Sequence, residues 1–280
     1  MSLAIDDSPL PHGPWTALLA RIADETELDG SVRVAGELLH ARIGYRLVTA
    51  ALTDALHARY FRSSASLPDV RRTAGRGGGA ACARLADALR PRFLGRDGWM
   101  LRYRSEAGVP VFAVTAGSGP GPVAASCFLD LTPAIAAEAF AGMITTLEGY
   151  GVGFRAELRG DARYPERLGA AVVTVARSHA DAVVRVAQRM RDRSPLLFGP
   201  SVAPFTRPMA RGIGLADEPD DGTPFGRHRC RLIAAALVAA GPGADRAERR
   251  AAVLRALTDA GLDLVALHLN PGNPEFPAGR

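Results

Sequence analysis

The chain has 280 residues, 48% of them hydrophobic, enough to bury a sizeable core in one large domain or two modest ones. Its 34 basic residues outnumber 29 acidic ones to give a formal charge of +5, yet every basic residue is arginine and none is lysine. With alanine abundant, this pattern reads as a GC-rich coding bias. Aromatics at 6% and the lack of any recognition motif set nucleic-acid binding aside.

Residues 1–12 read as a polar lead-in with no basic n-region and no apolar h-region, so no secretory signal is predicted. From Pro14 to about Arg62 the apolar residues, among them Leu18, Ile22, Leu38, Leu39, Ile43 and Leu47, recur at helical steps. Asp29-Gly30-Ser31 interrupts the run and offers a helix cap. TAGRGGG at 73–79 is a glycine-rich loop that lacks the preceding strand and following Lys-Ser/Thr of a phosphate loop, and a short helix near 80–90 comes next.

From Gly98 the period becomes two. Strands are predicted to about Arg104, at 109–116 and at 123–131, the last with Val123, Ala125, Cys127, Leu129 and Leu131 on one face and Ser126, Phe128 and Asp130 on the other. Thr132-Pro133 reads as a helix start, with the stripe Ile135, Ala139, Met143 and Leu147 behind it. In strand 154–159, Phe154, Ala156 and Leu158 point one way and Arg155, Glu157 and Arg159 the other. Strand 170–175 reads as fully buried, and helix 178–191 starts at a Ser178 cap. Residues 194–225 are irregular and rich in Pro and Gly, a length of loop that usually carries function. Helices at about 226–241 and 244–261 close the chain.

The expected fold is α+β: an N-terminal helical region, residues 1–95, packed on a mostly antiparallel sheet of about five strands with helices on one face. Residues 96–280 form the α+β domain, and the two parts are expected to make one compact unit. No long apolar run predicts a membrane span. Cys82, Cys127 and Cys230, odd in number and far apart, predict neither a disulfide framework nor a zinc site. The expected compartment is the cytoplasm.

HARYF (57–61), WMLRYRSEAGVPVFAVTAG (99–117), CFLDLTP (127–133), GFRAELRGDARYPER (153–167) and LHLNPGNPEF (267–276) carry a family resemblance. The most specific segment is PFTRPMARGIGLADEPDDGTPFGRHRCRLIAAAL (204–237). Together they resemble the HopA-type effector family, which is also found in actinobacterial and cyanobacterial peptide-biosynthesis clusters and is distantly similar to phosphothreonine lyases. The resemblance implies an α+β lyase component that, with a separate small kinase, dehydrates Ser and Thr in a ribosomally made precursor peptide. Class V lanthipeptides and their thioamide-containing relatives are made in this way. The implied partners are the phosphorylated precursor peptide and the kinase, with no metal or organic cofactor and no membrane.

Such an elimination needs a base for the Cα proton, an acid for the bridging oxygen and cations for the leaving phosphate. Planar guanidinium groups suit the last task, and Arg155, Arg167, Arg207 and Arg229 stand in the matching motifs. His228 in FGRHR is the candidate acid or base, although the same position also fits a brace for the long loop. Phosphothreonine lyases use a lysine base, and many relatives carry lysine in the strand matching 154–159 and in the FTxP motif. This chain has Glu157 and Arg207 there. Flanking cations should make Glu157 a weak base, and arginine is a worse one. Either His228, or a coordinated Asp130 or Glu157, takes over the role, or the elimination is slow, or the chain binds its kinase and peptide without catalysis.

Overall fold

The computed structural model describes residues 15–28, 31–41, 45–62, 100–106, 109–132, 135–160 and 168–277. The lead-in at 1–12, the glycine-rich segment 73–79, the helix expected near 80–90, Pro133 and Arg167 lie outside the described residues. The α+β class expected from the sequence is observed. Contacts divide the chain into two interleaved units rather than at residue 95: Met1–Leu56 with Arg229–Asn273, and His57–His228 with Pro274–Arg280.

The first unit opens with helix α1 (Thr16–Glu25) and strands β1 (Thr26–Leu28), β2 (Ser31–Val34) and β3 (Glu37–Ala41), followed by helix α2 (Tyr45–Leu56). The strands pair antiparallel in the order β1-β2-β3, which corrects the helical reading between Thr26 and Ala41, while α1 and α2 on either side are helical as expected. Ala35 and Gly36 both take positive φ, 51° and 77°, and reverse the chain as a two-residue hairpin turn. Val32 and Val34, at period two, are buried, whereas Leu38, counted in the helical stripe, is 51% exposed. Helix α6 (Arg246–Asp259) begins with a capping box in which Asp245 and Glu248 satisfy each other's backbone N–H. It packs on α1, where Arg250 ion-pairs with Asp24 and Arg249 Nε donates to Ala23 O at 3.0 Å. The guanidinium of Arg250 holds the Asp24 carboxyl below its ordinary value.

The second unit is built on a sheet of seven strands. They are β4 (Met100–Glu106), β5 (Val109–Ala116), β6 (Ala124–Asp130), β7 (Phe154–Gly160), β8 (Leu168–Ala176), β9 (Arg207–Ala210) and β10 (Ile213–Asp217). Their order is β4-β5-β7-β8-β6-β10-β9, and every neighbouring pair is antiparallel. Helices α3 (Ala136–Gly149) and α4 (Ala180–Arg193) cover one face. Against them lie Phe154, Ala156, Leu158, Val173 and Val175, each no more than 1% exposed, and each large side chain so buried stabilises by about 1.5–3 kcal/mol.

Several local expectations change. The stretch 194–225 is not wholly irregular, because β9 and β10 lie within it; both are short and broken by Pro208 and Gly214, which hides them from a period-two reading. Ser178 does not cap α4, whose N-cap is His179 after a turn of 3₁₀ helix. Thr132 gives its hydroxyl to Leu196 O at 2.6 Å instead of capping α3. Strand β8 is not buried along its whole length: on the face away from the helices Ala170 is exposed and Val172 half-buried, while Thr174 is buried.

Candidate functional site

The face of the sheet away from α3 and α4 carries the polar residues of the central strands. Register sets them in rows. Thr115, Arg155, Thr174 and Ser126 are successive partners across β5, β7, β8 and β6. One row along stand Ala113, Glu157, Val172 and Phe128, and beyond them Val111, Arg159, Ala170 and Asp130. Strands lie about 4.8 Å apart, so the line from Arg155 to Ser126 spans roughly 10 Å.

Ser126 and Thr174 are buried, 0% and 4% exposed, and their hydroxyls are 2.7 Å apart. Ser126 Oγ donates to Glu218 Oε1, and since a hydroxyl has a single proton, Thr174 must donate to Ser126. Glu218 follows the end of β10, where its N–H donates to Ala124 O at 2.9 Å. Its second oxygen accepts the N–H of Phe225 at 3.1 Å, the first residue of helix α5 (Phe225–Ala240). Burial pushes the Glu218 carboxyl above its ordinary value; the Ser126 hydroxyl, the Phe225 N–H and the Arg155 charge pull it down, and the Glu157 charge pushes it up again.

Glu157 is 8% exposed and ion-paired with Arg159 on the same strand. Arg155 is exposed, and among the described residues no hydrogen bond or ion pair holds its guanidinium. Phe128 roofs the neighbouring row, with ring centroids 5.8 Å from Phe225 and 5.6 Å from Phe61, and His57 stacks on Phe61 at 5.4 Å. Gly226 has no room for a side chain, because a Cβ there would strike the Phe61 ring. His228 lies in the first turn of α5, its N–H bonded to Pro224 O at 2.9 Å. Residues three apart on a helix share a face, which puts His228 within one turn of the Phe225 N–H that holds Glu218.

The candidates named from the sequence therefore separate. Arg155 and Glu157 share the polar face with Glu218. Asp130 is on that face at its far end, where its carboxylate accepts the N–H of Ser201 at 2.9 Å and crowds Gly199. Burial raises its carboxyl, and the Ser201 N–H and Arg211 lower it. Arg207 pairs in register with Leu215, which in turn faces Cys127 on the helix-covered side. Its guanidinium donates to Glu275 Oε1 at 2.9 Å and to Phe276 O at 2.6 Å. Arg177 joins it there, donating to Asp217 Oδ1 at 2.7 Å and to Pro274 O and lying 4.5 Å over the Phe276 ring. Arg229 is 1% exposed and donates to Leu267 O at 3.0 Å and Leu269 O at 2.9 Å within the first unit. Arg207 and Arg229, which the sequence offered for the leaving phosphate, hold backbone carbonyls instead. Arg167 lies outside the described residues.

Sequence reading missed Ser126, Thr174 and Glu218. A signal existed for the first two: isolated hydroxyls in strands that are otherwise apolar need a buried partner. Glu218 sits in ADEPDDG, which reads locally as an ordinary acidic turn.

Residues 100–269, more than half the chain, match the HopA1 effector protein family. The chain belongs to that family. Two solved structures share the fold of this HopA1-family protein. The effector protein from Pseudomonas syringae pv. tomato strain DC3000 aligns with a TM-score of 0.52 at 13% identity, over 81% of this chain and 96% of that one. The effector protein from Pseudomonas syringae pv. syringae strain 61 gives 0.50 at 15% identity, over 81% and 97%. At such identities the likeness is one of fold. No curated protein matches the chain. The family resemblance drawn from the sequence is borne out.

Proposed function

We propose that this HopA1-family protein is a carbon–oxygen lyase that eliminates phosphate from phosphoserine or phosphothreonine, leaving dehydroalanine or dehydrobutyrine. The observation that carries this reading is an exposed guanidinium, Arg155, placed near a half-buried carboxyl, Glu218, that is held by Ser126 and the Phe225 N–H and whose pKa is lowered by the Arg155 charge. Cation and proton acceptor on one sheet face are what elimination of an anionic leaving group requires. Arg155 receives the phosphoryl group, with Arg159 and its partner Glu157 on the same strand holding the charge pattern of the site. His228 protonates the bridging oxygen. The resemblance to lyase components of peptide biosynthesis supports a ribosomally made precursor peptide as substrate, phosphorylated by a separate kinase in the cytoplasm. No metal or organic cofactor enters the chemistry. Among the described residues no helix is long and apolar enough to cross a membrane.

A second reading has its own observation. Two of the arginines named from the sequence, Arg207 and Arg229, are bonded to backbone carbonyls, and the chain has no lysine. These facts favour a subunit that binds kinase and phosphopeptide without catalysis. Incubating the pure protein with a synthetic phosphorylated precursor separates the two. Loss of one phosphoric acid, with the alkene trapped by a thiol, is the expected result. Intact phosphopeptide that nonetheless binds supports the non-catalytic subunit.

A further inference from the structure

We propose that Glu218 is the group that takes the Cα proton of the phosphorylated residue, with Ser126 and Thr174 as positioning residues that hold its carboxylate. The inference rests on the lyase reading above and fills the place that lysine leaves empty. Among the described residues, three carboxylates compete for the role on this face. Glu157 is ion-paired with Arg159, so its charge is already matched by a cation on its own strand. Asp130 stands two rows from Arg155 and is fastened to the 199–201 loop through the Ser201 N–H. Glu218 is held from two sides, by Ser126 from β6 and by the Phe225 N–H from α5, and it senses the charge of Arg155.

This environment has the properties a general base needs. Two fixed donors orient the carboxylate before substrate arrives. Removal from water favours its protonated form, which raises its proton affinity toward the working range. The charges that shift it are those of Arg155 and Glu157, of opposite effect, and both come from β7. In the step itself the Cα–H electron pair becomes the Cα=Cβ bond, and the Cβ–O bond breaks with its pair going to the phosphate. The Cα proton passes to Glu218, and the proton given by the acid leaves on the phosphate. No water or redox partner is consumed. The relay Thr174 to Ser126 to Glu218 ends on the carboxylate, so its hydroxyls point their protons at the developing acid's resting charge.

The test uses the full chain and a synthetic phosphoserine peptide, with elimination, peptide binding and thermal unfolding followed together. Glu218→Gln is expected to slow elimination by about 10²–10⁴-fold while the peptide still binds. Ser126→Ala removes a hydrogen bond that lowers the Glu218 pKa, so the acidic limb of the kcat/KM profile should move to higher pH. A purely structural Glu218 would leave that limb in place. Wild-type rates in a folded Glu218→Gln variant overturn the assignment. If that variant does not fold, an unmoved limb in Ser126→Ala overturns it equally. A wild-type protein that binds the peptide and never eliminates phosphate sinks the lyase reading itself, and the assignment with it.

Discussion

The polar face of β7 and the clasp around residues 274–277 both set arginines beside carboxylates, and they differ in what the guanidinium touches. In the clasp, Arg177 and Arg207 spend their donors on the backbone carbonyls of Pro274 and Phe276 and on Asp217 and Glu275. Apart from the bond to Asp217, these contacts are with residues 274–276, and the product is a fastened segment. On the sheet face Arg155 stays exposed beside a carboxyl whose pKa it shifts. Arginine identity alone does not separate a ligand-binding cation from a structural one; the direction of its strand and the presence of nearby carbonyls do.

Arg155→Ala breaks this comparison most severely if it is wrong. Removing one preorganised cation from a phosphoryl site is expected to cost about 10²–10³-fold in elimination, with the thermal midpoint nearly unchanged because the side chain is exposed. A variant that eliminates phosphate normally places the binding site elsewhere. The reverse pattern is expected of the committed arginines. Arg229→Ala leaves two carbonyls and a cavity in the first unit, a loss of about 3 kcal/mol in denaturant unfolding. Arg207→Ala loses one charged hydrogen bond and one surface pair, about 1–2 kcal/mol, and the folded fraction of each variant should keep the wild-type rate.

The smallest effect sharpens the assignment of Asp130. Burial raises its folded pKa above the ordinary 3.8, so between those values the folded chain holds a proton that the unfolded chain has released. Its contribution to stability is therefore fully present below the ordinary value and is lost as pH rises through the folded one. Urea unfolding of wild type and Asp130→Asn from pH 4 to pH 8 should show the wild type losing ground to the variant as pH climbs. A constant difference would mean that the carboxyl titrates normally and the 199–201 loop is held by other contacts.

Much of the second unit was legible along the chain. Strands 109–116 and 154–160 follow from the alternation of side chains, which is a local consequence of extended backbone, and the split of Arg155, Glu157 and Arg159 from Phe154, Ala156 and Leu158 came with it. The candidate site was only half legible. Arg155 and Glu157 could be named because they alternate within one strand, whereas Ser126 meets Thr174 at a separation of 48 residues and Glu218 at 92. Those meetings depend on β6 lying between β8 and β10, an order that no periodicity encodes.

Residue pattern alone was enough for the α+β class, the polar face of β7 and the family, since each is written in neighbouring positions. It erred at Leu38 and Leu39, where apolar spacing suited a helix and a two-residue turn at Ala35-Gly36 made a hairpin. Strand order and register, by contrast, chose which arginines face a possible ligand and which carboxyl is drawn partly out of water. Burial and long-range hydrogen bonding exist only once distant segments are packed, so the environment of Glu218 belongs to the folded sheet and to no stretch of sequence.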